Sequence, residues 1–217
     1  MTKIKKMTKI KLTNQNTEDV VTYITLGATN GCILDVTKII FSDNTKINEV
    51  SKLMGHFVLK GNTSVYLESP NGEGFNGNVS FNTPPMNCKS KELPNGMNVA
   101  EFIVNNGFQD GLPQETIDNS CVAGANAKIK FSVDTDDWTS NGGTIKVSEF
   151  QNNSWDKNTD VVGVFPYGCD NCTKSVSPPE CVGKQPQFVS SQQICNVQRS
   201  AKNNKGGTLE ITFIEFL

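Results

Sequence analysis

The sequence contains a single arginine, Arg199, and a single histidine, His56. Each scarcity excludes a class of chemistry. Bidentate capture of phosphate or of a guanine edge relies on arginine, and the formal net charge is −2, so no nucleic-acid partner is expected. Ser-His-Asp and Cys-His arrangements need a placed imidazole, whereas His56 sits inside the strand-like "MGHFVLK" and reads as an ordinary strand residue. No apolar run approaches the roughly 18 residues that cross a bilayer, so no membrane span is expected. Nor does a Gly-rich loop lead into a helix, and no cofactor is expected. The N-terminus, "MTKIKKMTKIKL", is basic and repeats "MTKIK". It lacks the apolar stretch of about 7–15 residues that a secretory signal requires, and as it stands is not one.

Periodicity two is present almost throughout. "KIKLT" (9–13), "VVTYITL" (20–26), "HFVLK" (56–60), "TSVYLES" (63–69), "NVSF" (78–81), "NVAEFIV" (98–104), "AKIKFSV" (127–133), "GTIKVSEF" (143–150), "VVGVFPY" (161–167) and "GTLEITFIEF" (207–216) all read as strands. Turn signals lie between them at Asn71-Gly72, Asn76-Gly77, Asn95-Gly96, Asn141-Gly142-Gly143 and Lys205-Gly206-Gly207. Only 36–53 suggests a short helix. About ten short strands with regular turns make an all-β fold, an antiparallel sandwich, the expected architecture. The C-terminal segment reads as a paired strand rather than a tail. No linker divides the chain, so residues 1–217 are read as one domain, with 166–200 as a Cys/Pro-rich excursion.

That excursion holds "YGCDNCTKSVSPPEC" and, beyond it, Cys195. The spacing Cys169-x2-Cys172-x8-Cys181-x13-Cys195 admits three readings: zinc thiolates, disulfides or buried thiols. Zinc knuckles repeat the Cys-x2-Cys pair, and this segment does not, so no metal site is assigned. Disulfides among these four cysteines are the preferred reading, because cross-links stabilise an irregular loop that buries little. Cys32, Cys88 and Cys121 are scattered, and a total of seven leaves at least one cysteine unpaired or bonded to another chain. Of the 25 asparagines, Asn62, Asn78, Asn152 and Asn171 head glycosylation sequons, which chance explains in so Asn-rich a chain.

Other clusters have plain readings beside sharper ones. Asp134, Asp136 and Asp137 are spaced as in a Ca²⁺ loop, but Ile145 stands where the closing Glu belongs. A hairpin tip with solvated acids is the simpler reading. Trp138 and Trp155 are candidate rings for stacking on sugars, with core packing as the alternative for both.

The segment "GMNVAEFIVNNGFQDGLPQETIDNSCVAGANAKIKF" (96–131) resembles the thaumatin-like (osmotin/thaumatin-like) superfamily. Ala100-Glu101-Phe102 stands for the family's Ala-Glu-Phe strand. Ile117-Asp118-Asn119-Ser120-Cys121-Val122-Ala123-Gly124-Ala125-Asn126 stands for its Tyr-Asp-Val-Ser-x-Val-Asp-Gly-Phe-Asn. The resemblance implies an acidic cleft associated with β-glucan binding and, in relatives, β-1,3-glucan hydrolysis. It carries the cleft acids onto Glu101 and Asp118, the catalytic pair if the protein is active. The third acid is replaced by Ala123, and the cleft arginine has no counterpart.

The expected function is therefore a non-enzymatic role in structural assembly or surface interaction, with a homo-oligomer as one partner. The alternative is a glycan-binding or weakly hydrolytic wall-associated or defence protein using Glu101 and Asp118. Cysteine content and the resemblance favour an extracellular or surface setting.

Overall fold

The computed structural model describes residues 6–29, 31–85, 96–106, 114–120, 126–140, 146–151, 196–200 and 205–216. They form fourteen strands: β1 (Lys6–Asn14), β2 (Val20–Leu26), β3 (Ile40–Phe41), β4 (Asn48–Ser51), β5 (Met54–Leu59), β6 (Thr63–Glu68), β7 (Phe75–Phe81), β8 (Val99–Val104), β9 (Gln114–Ser120), β10 (Ala127–Val133), β11 (Thr139–Ser140), β12 (Glu149–Gln151), β13 (Asn196–Ser200) and β14 (Lys205–Phe216). Two sheets result. One runs β12-β10-β14-β1-β6-β3 and the other β11-β13-β9-β8-β7-β2-β5-β4. Every strand pair is antiparallel except β1 with β14, which run parallel from Lys6↔Lys205 to Asn14↔Phe213. The expected sandwich is present.

Alternation decides which side chains meet between the sheets, because successive residues of a strand point to opposite faces. Ile10 and Leu12 of β1, Ile129 and Phe131 of β10, and Leu209, Ile211 and Phe213 of β14 line the inner face of the six-stranded sheet. Ile24 of β2, Phe57 of β5, Val79 and Phe81 of β7 and Phe102 of β8 meet them from the other side. Phe81 and Phe213 span the gap with ring centroids 4.9 Å apart. Truncating a side chain such as Phe81 or Ile211 to Ala would cost about 2–5 kcal/mol.

A polar cluster is buried at one end of this apolar layer. Arg199 of β13 lies opposite Glu115 of β9. Its Nε donates to Glu115 Oε2 at 2.5 Å, with the two side chains 1% and 5% exposed. Nη2 donates to Thr8 Oγ1 of β1 at 2.7 Å and to the Gly206 carbonyl of β14 at 2.6 Å. Nη1 reaches Thr135 Oγ1 at 3.0 Å and Asp137 Oδ1 at 3.1 Å. The other oxygen of Glu115 accepts from Thr8 Oγ1 and from the Asn105 amide, both at 2.7 Å. The guanidinium plane also covers Trp138, 4.5 Å from the ring centroid. Both sheets thus close on one cation.

Several expectations are corrected. Segment 36–53 is not a helix: Val36–Lys38 is a single 3-10 turn, capped by Asp35 through the Thr37 amide at 3.0 Å, and β3 and β4 follow. Asn76-Gly77 is not a turn but lies within β7, where a Cβ on Gly77 would stand 2.4 Å from the Thr25 carbonyl oxygen. Lys205-Gly206-Gly207 opens β14, its glycines at φ 73° and 94°, values that disfavour any other residue. Within 166–200, Asn196–Ser200 is strand β13, and residues 166–195 lie outside the described residues.

The Arg199 cluster and the parallel pair each yield a test. Arg199→Lys offers three donors on a compact ammonium where five were used in a planar fork. It should lower the unfolding free energy in urea by about 3–5 kcal/mol. An unchanged midpoint would show that the cluster does not hold the sheets together. On β14, partial burial acts to raise the Glu210 carboxyl, but hydrogen bonds from Thr13 (2.5 Å) and Lys11 (3.0 Å) of β1 outweigh it and hold the group below its ordinary value. A lowered folded value stabilises the protein above the unfolded value of about 4.3 and is lost as pH falls through the folded one. Glu210→Gln should therefore flatten the fall in Tm below about pH 4.3. Parallel acid profiles for both proteins would show that Glu210 contributes nothing there.

Candidate functional site: an open polar cleft on the eight-stranded sheet

The outer face of the eight-stranded sheet carries the residues that alternate with the core. In "VAEFIV", Ala100, Phe102 and Val104 point inward, leaving Val99, Glu101 and Ile103 half-buried on the outside. In β9, Glu115, Ile117 and Asn119 are buried, and Thr116 and Asp118 face outward. Register then aligns a polar row across four strands: Thr25 of β2 opposite Asn78 of β7, Asn78 opposite Glu101 of β8, and Glu101 opposite Asp118 of β9. The two acids assigned from sequence are thus direct cross-strand neighbours. Positions opposed in this way hold their Cβ atoms about 4.5–5.5 Å apart.

A trough of about 430 Å³ opens over this row, lined among others by Glu101, Asp118, Asn78, Asn76, Ile103 and Thr116. Two glycines keep it deep. Gly77 lets β7 approach β2 as described, and a Cβ on Gly27 would press against the Asn76 amide at 2.7 Å. The floor carries two acidic side chains, Glu101 and Asp118. Thr25 Oγ1 and Asn78 Oδ1, neighbours in the same row, are buried and have no hydrogen-bond partner in the protein. Buried polar atoms without partners are rare in folded proteins.

The other candidates separate from this site. Trp138 is 2% exposed and takes the Arg199 guanidinium on its ring, so it belongs to the core and cannot stack on a sugar. Trp155 lies outside the described residues, as do Cys88, Cys121, Cys169, Cys172, Cys181 and Cys195. Cys32 is a free, buried thiol, pushed up by that burial. The three aspartates after β10 are not all solvated. Asp134 and Asp136 are exposed, Asp134 accepting from the Thr208 amide at 2.6 Å, whereas Asp137 is half-buried and serves Arg199. Among the described residues no group of three His, Cys, Asp or Glu is placed to hold a metal ion. No helix among them is long and apolar enough to cross a membrane. Of the sequons, Asn62 is exposed between β5 and β6, whereas Asn78 lines the trough; Asn152 and Asn171 lie outside the described residues.

Residue pattern alone did not tie Thr25, Tyr23 or the sequon residue Asn78 to this site. Their signal was present in the alternation of "VVTYITL", which puts Val21, Tyr23 and Thr25 on the face away from Val20, Thr22 and Ile24. Without the strand order, nothing tied that face to Glu101. Tyr23 packs its ring on His56, centroids 5.3 Å apart and tilted by 45°.

No protein-family model and no curated protein matches the chain. Solved structures similar to the chain over nearly its whole length include the following two. The protein elicitor MoHrip2 from Magnaporthe oryzae is 9% identical with a TM-score of 0.37, covering 95% of this chain and 98% of its own. The thaumatin-like xylanase inhibitor is 12% identical with a TM-score of 0.40, covering 94% of this chain and 97% of its own. The family in that inhibitor's name is the one that the sequence around Glu101 and Asp118 resembles.

Proposed function

We propose that the protein is a non-enzymatic surface-interaction protein whose cleft binds a polyhydroxylated ligand, a β-glucan chain, with Glu101 and Asp118 as acceptors for its hydroxyl groups. The observation that carries this reading is the direct opposition of the two acids on the floor of an open trough. Carboxylates accept short, charge-assisted hydrogen bonds that are roughly twice as strong as neutral ones.

The same geometry argues against hydrolysis. Glycosidases place two carboxylates on either side of the scissile bond, one as acid and one as base or nucleophile. Glu101 and Asp118 rise from adjacent strands on one sheet face, so both reach a ligand from below. Ala123 stands where the resembled family has a further acid, and the lone arginine is committed to Glu115 on the inner side of the sheet. An extracellular or surface setting belongs to this reading, since that is where glucan polymers are met. Self-association would add avidity without new contacts.

Titration calorimetry with a β-1,3-linked glucose hexasaccharide tests the reading. The protein should bind it, and E101A/D118A should weaken binding by about 10–100-fold, the value of one or two hydrogen bonds to charged acceptors. Incubation with the polymer should release no reducing ends. Absence of binding by the unaltered protein would refute the assignment, as would undiminished binding by the double variant. Release of reducing ends abolished by Glu101→Gln would establish the hydrolase instead.

A further inference from the structure

Beside the acids, the floor of the trough holds a second row. Asn76 of β7 lies opposite Ile103 of β8, and Ile103 lies opposite Thr116 of β9. Gly27, just beyond β2, donates its amide to the Asn76 carbonyl and begins the row. Both rows line the same trough. They are one two-residue step apart along the strands, about 7 Å. The first is polar throughout, whereas the second has an apolar centre between an amide and a hydroxyl. That centre is not core. Phe102 and Val104 carry the inward face of β8, and among the described residues the half-buried side chains that pack on the core are Ile47, Leu53 and Val133, not Ile103.

We propose that Ile103 is the platform of the cleft: the C–H face of one pyranose ring packs on it, while Asn76 and Thr116 meet hydroxyl groups on the two sides of that ring. This rests on the carbohydrate-binding reading of the cleft and adds the residues that recognise the sugar ring itself. A saccharide presents two kinds of surface. The rim carries hydroxyls, and each face of a β-glucose ring carries only C–H groups, because its substituents are equatorial. A floor of carboxylates and amides serves the rim alone. Half-exposed carbon in the middle of that floor supplies the contact that the face requires, and covering it removes apolar surface from water.

The spacing suits a ring laid flat. Neighbouring strands are about 4.8 Å apart, so Asn76 and Thr116 stand about 10 Å from one another with Ile103 between them. Asn76 is oriented by its own amide, which donates to Thr29 Oγ1 and leaves the side-chain carbonyl oxygen to accept. The lack of a side chain at Gly27 keeps that amide in place, since a Cβ there would stand 2.7 Å from Asn76 Nδ2. From Gly27 to Thr116 the row crosses three strand spacings, about 14 Å, against one two-residue step along the strands. A chain in the trough therefore lies across the strands, with one ring over Ile103.

Calorimetry with the β-1,3-linked glucose hexasaccharide at several temperatures tests the platform, because burial of apolar surface gives a negative heat-capacity change. Ile103→Thr keeps a β-branched side chain in the strand and puts a hydroxyl on the apolar centre. It should weaken binding by about tenfold, the value of leaving roughly 50 Å² of apolar surface uncovered, and make the heat-capacity change less negative. Ile103→Val, which keeps the centre apolar, should weaken binding by about two- to fourfold at most. Thr116→Val removes a hydroxyl at nearly constant shape and should weaken binding by about three- to tenfold without altering the heat-capacity change. Unchanged affinity in Ile103→Thr, or lowered affinity with an unaltered heat-capacity change, would overturn the platform. If E101A/D118A is still weakened in that case, the cleft reading stands without it. If the unaltered protein does not bind the hexasaccharide, both fall together.

Discussion

Everything else in the sandwich is arranged around the buried ion pair of Arg199 and Glu115. Two charges taken out of water are costly unless each finds close partners. Here Arg199 donates to a carboxylate, two hydroxyls, a second carboxylate and a backbone carbonyl, while Glu115 accepts from Thr8 and Asn105 as well. The partners come from β1, β9, β13, β14 and the turn after β10, so the two sheets are keyed together at one point. Exposed pairs such as Lys9–Glu68 and Lys60–Asp19 are worth little by comparison. Had Arg199 been free to face outward, it could have served the cleft. Its burial keeps it out of the cleft, whose lining holds Glu101 and Asp118.

Where sequence and structure agree, the reason is alternation against a two-sided core. β2 and β10 were legible to the residue because Val20–Leu26 and Ala127–Val133 alternate without a break. β9 and β13 were not. "QETIDNS" and "NVQRS" contain almost no apolar residues, since their inward positions hold Glu115, Asn119 and Arg199, which are satisfied by one another and by neighbours rather than by burial of carbon. A polar residue is legible as interior only when its partner is known, and that partner was more than eighty residues away. The same holds for the cleft. Glu101 and Asp118 were identified through a family resemblance, but their neighbours Thr25 and Asn78 depended on strand order, which no local pattern encodes.

The asparagine excess, which carried no reading in the sequence, has structural uses. The four non-glycine residues with positive φ among the described ones are Asn44, Asn62, Asn82 and Asn105. Asparagine tolerates this conformation because its short amide bonds the local backbone. Asn82 accepts from the Val21 amide at 3.0 Å, and Asn105 exchanges hydrogen bonds with Thr8 at 2.8 and 2.9 Å. Inside the sandwich, Asn98 receives the amides of Asn126 and Ala127 at 3.1 Å and donates to Asn119 at 3.0 Å. These amides terminate strands at places where apolar side chains would leave backbone groups unpaired.

The parallel pairing of β1 with β14 has a temporal side. Lys6 meets Lys205 in that ladder, so during synthesis β1 waits for a partner strand made much later in the chain. At roughly 5–20 residues per second, the interval is on the order of 10–40 s. Throughout it, Ile10 and Leu12 can pair only with β6, and the six-stranded sheet stands as two separate halves. Contacts this distant in sequence slow folding, because loop closure precedes any gain from pairing. Of the eight-stranded sheet, β9-β8-β7-β2-β5-β4 can pair well before β14 is made, whereas β13, which joins β11 to them, precedes β14 by only a few residues.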